Sequence, residues 1–121
     1  MARIMIVDDS LVARRMLRKM LTEGGHDVIC EAPDGAAAID LYREHHPDLV
    51  TMDINMPKLN GLQASEQIHA EFPDALIVMI TSFSAMEDVR QARRAGVVGF
   101  LLKPFSQEKM IEVIGKALAT R

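Results

Sequence analysis

The chain has 121 residues, 49% hydrophobic and 26% charged, with a formal net charge of −3 at pH 7; that is enough for one sizeable core, too little for two ordinary domains, and globular rather than disordered in composition. The longest apolar run, Ala75 to Ile80, falls far short of the roughly 20 residues a membrane span requires, and Ile4 to Val7 meets Asp8 and Asp9 without forming a signal-peptide core, so a cytoplasmic protein is expected. The small negative charge gives no overall pull toward nucleic acid, and the single cysteine, Cys30, excludes an internal disulfide and a cysteine-based zinc site and is expected to be a buried core thiol.

Arg3 to Val7 is the first predicted strand, closed by Asp8, Asp9 and Ser10. A helix follows from Ser10 to Gly24-Gly25, with Val12, Met16 and Met20 recurring every four residues beside Ala13, Leu17 and Leu21. Its basic run of Arg14, Arg15, Arg18 and Lys19 reads as a solvated face. Asp27 to Glu31 is the second strand, and Asp34-Gly35 opens a helix in which Ala38, Leu41 and Tyr42 share a face before Pro47. Asp48 to Met52 is the third strand, Pro57 to Gly61 a loop, and Leu62, Ser65, Ile68 and Phe72 mark a helix closed by Pro73. Ala75 to Ile80 is the fourth strand. Ala85, Val89 and Ala92 define a helix that stops at Gly96, and Val97 to Leu102 is the fifth strand. After Lys103-Pro104 a last helix carries Met110, Val113, Ile114, Ala117 and Leu118. Five alternations of strand and helix predict a doubly wound α/β fold, one mostly parallel sheet covered on both faces, with no repeat or linker dividing residues 1–121.

Such sheets bind ligands outside the carboxyl ends of their strands. The first strand ends at Asp8 and Asp9, the third at Asp53, the fourth at Thr81 and Ser82, and the fifth at Lys103, so the fold would gather these residues on one rim. Like charges about 4 Å apart cost roughly 4 kcal/mol at an effective dielectric near 20, so the acids call for a cation. Hard oxygen donors, with no Cys or His among them, suit Mg²⁺ better than Zn²⁺. Lys103 adds a second positive group and Thr81 a hydroxyl, which together outline a phosphoryl site with Asp53 as acceptor. Singly, each signal is ordinary: Asp8-Asp9 and Thr81-Ser82 are common helix caps, and Lys103-Pro104 is a common turn. Their coincidence at strand ends is what argues for a site. The histidines add no metal site: His45 and His46 are adjacent and share no helix face, and His26 and His69 sit in polar sequence surroundings.

The motifs Ile6-Val7-Asp8-Asp9-Ser10, Met52-Asp53-Ile54-Asn55-Met56-Pro57 with Gly61, Thr81-Ser82 and Lys103-Pro104-Phe105 make the whole chain resemble the receiver domain of two-component response regulators. The resemblance implies a flavodoxin-like sheet in the order 2-1-3-4-5 and transfer of a phosphoryl group from a histidine kinase's phospho-His to Asp53. It implies Mg²⁺ held directly by Asp9 and Asp53, through water by Asp8, and by the backbone carbonyl of Asn55. Lys103, Thr81 and Ser82 would contact the phosphate. Phe100, on sequence alone a core aromatic, occupies the family's switch position. Its inward turn after movement of Thr81 would alter the face of the fourth helix, fifth strand and fifth helix, where Met86 is a candidate partner contact. Asn55 and Phe83 stand where the family tunes phosphate loss; neither is a carboxylate, so slow to moderate self-dephosphorylation is expected.

The overall likeness to stand-alone chemotaxis regulators of the CheY type implies a monomer, a CheA-like histidine kinase or phosphotransfer protein as donor, and a flagellar motor switch protein or CheC-type phosphatase as partner. The alternatives are a phosphorelay intermediate or a receiver excised from a larger regulator. Turnover of external substrates is not expected: a haloacid-dehalogenase-type phosphatase needs a second Asp where Asn55 stands, and Asp8-Asp9 would repel the phosphate of a flavodoxin's cofactor. With the last helix predicted to reach almost to Arg121, the signal is expected to leave through the domain's own surface.

Overall fold

The computed structural model describes residues 2–56, 59–82 and 89–121. Five strands, β1 (Arg3–Val7), β2 (Asp27–Ala32), β3 (Leu49–Asp53), β4 (Ile77–Thr81) and β5 (Val97–Leu102), alternate with helices α1 (Leu11–Glu23), α2 (Gly35–His45), α3 (Gly61–Glu71), α4 (Val89–Arg94) and α5 (Gln107–Leu118). The sheet is parallel throughout, in the order β2-β1-β3-β4-β5. Chain order reverses between β1 and β3, the point at which such sheets bind ligands.

Alternation along the strands sorts the core into two layers. Met5, Val7, Val50, Met52, Ile77 and Met79 meet Ala38, Tyr42, Leu62, Ile68 and Ala92 of α2, α3 and α4 on one face. Ile4, Ile6, Leu49, Val78, Ile80 and Leu101 meet Leu17, Leu21, Met110, Ile114 and Ala117 of α1 and α5 on the other. β3 and β4 are buried along their whole length; β4 reads in sequence as a continuous apolar run up to Thr81, whereas β3 buries Thr51 within its run as well as Asp53 at its end.

Local chemistry fixes where helices begin. Ser10, Asp34 and Ser106 each accept the backbone N–H three residues on, and Asn60 and Gln63 form a reciprocal capping box at the start of α3. Gly96 ends the turn after α4 with φ +86, where a Cβ would also strike the ring of His69. His69 thus lies against backbone, its Nδ1 buried and without a hydrogen-bond partner among the described residues, rather than in the polar surroundings its neighbours in sequence suggest.

Three expectations need correction. The buried stripe of α1 is Leu17 and Leu21, whereas Val12 and Met16 are 76% and 57% exposed: the two apolar stripes lie side by side, and of the outer one only Met20 reaches the core. The basic face of α1 is not uniformly solvated, because Arg14 turns inward onto β2. Cys30 is half-buried rather than a full core residue, on edge strand β2, where burial pushes its thiol pKa up. Pro57, Phe83, Ala85 and Met86 lie outside the described residues.

Candidate phosphoryl and metal site

Register brings the acids together. Val7 pairs with Met52, so Asp8 and Asp53 leave their strands abreast. Asp8 continues the parity of Ile4 and Ile6, and Asp53 that of Leu49 and Thr51, which turns both carboxylates toward the α1 and α5 side of the sheet. Asp8, Asp9 and Asp53 each offer a carboxylate oxygen, all within 4.8 Å of one another. Asp8 and Asp53 are buried, at 1% and 4% exposure, while Asp9 is exposed at the rim. Lys103, just beyond β5, places Nζ 3.7 Å from Asp8 Oδ2 and 3.7 Å from Asp53 Oδ1. Its own N–H donates to the Thr81 carbonyl at 2.8 Å, tying the ends of β4 and β5.

Each acid has a distinct setting. Asp8 Oδ1 accepts the Ser10 N–H at 2.8 Å, but Oδ2 is buried with no hydrogen-bond partner among the described residues. Asp53 Oδ1 accepts the Asn55 N–H at 3.3 Å. Burial, then the neighbouring charge of Asp8, raises the Asp53 pKa above the ordinary aspartate value, against the opposing pull of Lys103 and the Asn55 N–H. A buried carboxylate oxygen with no hydrogen bond among the described residues, the Lys103 ammonium 3.7 Å away and two further acids beside it, fits a hard divalent cation: the donor set is all oxygen, and Mg²⁺ tolerates a shell shared with water and phosphate. Asp8, Asp9 and Asp53, with the carbonyl of exposed Asn55, are the residues that would hold it.

Thr81 is buried at the end of β4, its hydroxyl donating to the Ser82 carbonyl at 3.2 Å, and Ser82 is half-buried beside it. Phe100, half-buried on β5, packs against the cluster under α2, α3 and α4. Phe83 is outside the described residues. Gly61 is required where it stands, because a Cβ there would collide with the Asp53 carbonyl.

Sequence reasoning passed over what supports the acids. Arg14 donates through Nη1 to the Asp8 carbonyl at 2.7 Å and through Nε to Glu31 of β2 at 3.1 Å, and Arg18 reaches the other oxygen of Glu31 at 2.7 Å. The available signal was the four-residue spacing of Arg14 and Arg18, which puts both guanidinium groups on one side of α1.

The family model for the response regulator receiver domain matches residues 4–115. The chemotaxis protein CheY of Bacillus subtilis is 40% identical over 116 residues, covering 96% of this chain and 97% of that protein. The transcriptional regulatory protein PdtaR of Mycobacterium tuberculosis is 40% identical over 117 residues, which span 97% of this chain and 57% of that one. Among solved structures, the complex of CheX, CheY, BeF3 and Mg²⁺ from Borrelia burgdorferi aligns with a TM-score of 0.88 at 30% identity, over 93% of this chain and 85% of that one.

Proposed function

The chain belongs to the response regulator receiver domain family, and from that premise we propose that it takes a phosphoryl group from the phospho-His of a histidine kinase or phosphotransfer protein onto Asp53, with Mg²⁺ in the acidic cluster. The observation that carries the reading is the meeting of Asp8, Asp9 and Asp53 within 4.8 Å, with Lys103 Nζ 3.7 Å from two of them. An Asp53 carboxylate oxygen attacks phosphorus, the N–P bond breaks, and its electron pair returns to the donor imidazole. Bound Mg²⁺ would supply positive charge to the phosphoryl oxygens and draw the acids together. Lys103 offsets the remaining charge from the β5 side, and the Asn55 N–H steadies the attacking carboxylate. The Thr81 hydroxyl, now on the Ser82 carbonyl, is the donor free to turn to a phosphoryl oxygen, with Ser82 beside it.

In this reading phosphorylation shifts a pre-existing equilibrium in which Thr81 moves and Phe100 turns inward, changing the face of α4, β5 and α5. Chemotaxis is the proposed pathway in the cytoplasm, supported by CheY relatives matched over nearly their full length, with the flagellar motor switch or a CheC-type phosphatase as partner. A phosphorelay role would instead pass the group on to a second histidine. The domain acts as a switch and not as a turnover enzyme on external substrates. None of the described helices is long and apolar enough to cross a membrane.

Incubation with acetyl phosphate and Mg²⁺, followed by intact mass, tests the chemistry. A single phosphoryl adduct that vanishes in Asp53→Asn is expected; an unmodified parent protein would refute acceptance at Asp53. Capture of the motor switch protein only after beryllofluoride treatment is the result expected for the chemotaxis pathway.

A further inference from the structure

We propose that Arg14 is a positioning residue for the cation site, fixing the peptide between two of its acids by anchoring the end of β1 to edge strand β2. The inference rests on reading Asp8, Asp9 and Asp53 as that site. Three bonds define the Asp8-Asp9 unit. The Asp8 N–H donates to the Ala32 carbonyl at 3.1 Å, and Asp8 Oδ1 accepts the Ser10 N–H at 2.8 Å. The first holds the backbone before Asp8 and the second closes a turn across the Asp8-Asp9 peptide, but neither bonds the carbonyl of that peptide. Arg14 does: its Nη1 donates to the Asp8 carbonyl at 2.7 Å. Asp9 is exposed, and no hydrogen bond or ion pair recorded among the described residues restrains its side chain, so the placement of its carboxylate depends on this peptide plane.

The guanidinium is itself held. Its Nε donates to Glu31 Oε1 at 3.1 Å, Arg18 bonds the other oxygen of Glu31 at 2.7 Å, and the Arg14 side chain is only 14% exposed. Arg18 is 46% exposed, steadies Glu31 and has no hydrogen bond or ion pair to any of the three acids of the site among the described residues. The planar fork of arginine serves two acceptors in fixed directions; a lysine ammonium has the charge without the fork. The bond also places positive charge behind the carbonyl of a residue whose own carboxylate faces two others, which favours the crowded arrangement before any cation arrives.

Groups that orient metal ligands from behind typically change metal affinity by roughly 10–100-fold when removed. The test is a MgCl2 titration followed by backbone amide NMR on wild type, Arg14→Ala, Arg14→Lys and Arg18→Ala, with thermal melts in EDTA to confirm that each is folded. Arg14→Ala is expected to weaken Mg²⁺ at least about tenfold, with Arg14→Lys between it and wild type. Arg18→Ala is expected to stay within about twofold of wild type, since it contacts no ligand. The metal-free Asp9 amide resonance should move in Arg14→Ala and not in Arg18→Ala. Should Arg14→Ala be unfolded, Glu31→Gln provides the second variant, with a smaller loss of affinity expected. Wild-type affinity in Arg14→Ala, or in folded Glu31→Gln where Arg14→Ala is unfolded, overturns the positioning role and leaves the cation site intact, as does an equal loss in Arg18→Ala. Absence of Mg²⁺ shifts in wild type overturns both.

Discussion

Gly61 and the carbonyl of Asp53 are in direct contact, closer than any side chain would allow, while the Gly61 N–H donates to the Ile54 carbonyl at 3.1 Å. The first turn of α3 is thereby seated on the end of β3. Gly61→Ala is expected to force these two backbones apart, with a loss of about 1–3 kcal/mol in stability. Because the displaced atom belongs to Asp53, phosphorylation by acetyl phosphate should slow as well. Urea unfolding and intact-mass time courses on the same sample check both effects; a stable variant labelled at the wild-type rate would contradict the contact.

Asp53→Asn should stabilise the metal-free protein at neutral pH. The folded-state pKa of Asp53 is raised, first by burial and then by Asp8, so the folded state keeps its proton to a higher pH than the unfolded chain does. Its contribution to stability is therefore complete below the unfolded value and lost as pH rises through the folded one. Melts in EDTA across pH 4–8 should show wild type losing stability through that window and the variant lacking that component of the decline, with its Tm a few degrees higher at pH 7. Added Mg²⁺ should raise the wild-type Tm more than the variant's.

Leu17→Ala is expected to cost about 2–5 kcal/mol, and Val12→Ser or Met16→Gln within about 0.5 kcal/mol of nothing. Leu17 is 4% exposed, whereas Val12 and Met16 face solvent. Chemical denaturation of the three variants decides it, and comparable losses at all three positions would mean that the outer stripe is also packed.

The aspartyl phosphate should outlive a second at neutral pH with Mg²⁺. Neither Asn55 nor Phe83 can take a proton from an attacking water at that pH. Rapid-quench mass measurement after removal of the phosphodonor checks the lifetime, and loss within a second would require a base elsewhere.

The strands and their ends were legible in sequence because a parallel sheet buried on both faces writes itself as apolar runs. The polar residues that stop those runs, Asp8, Asp53, Thr81 and Lys103, then stand on the binding rim. α1 was harder. Val12, Met16 and Met20 repeat with the same period as Ala13, Leu17 and Leu21, so periodicity alone gives two equally good faces and tertiary packing chooses between them. Arg14 was not legible as a support because its partners, the Asp8 carbonyl and Glu31, lie on two other elements. A charge run announces only charge; which member turns inward depends on where the neighbouring strand presents an acceptor.

The edge position of β5 has a consequence for synthesis. A nascent chain that has emerged only through β4 already carries all three carboxylates, but Lys103 follows the last strand to be made. β5 pairs with β4 at the edge of the sheet, so the same strand that completes the sheet also leads into Lys103 and sets its ammonium beside Asp8 and Asp53. A chain stalled or cleaved before residue 97 would carry the three carboxylates without the Lys103 ammonium that lies beside Asp8 and Asp53.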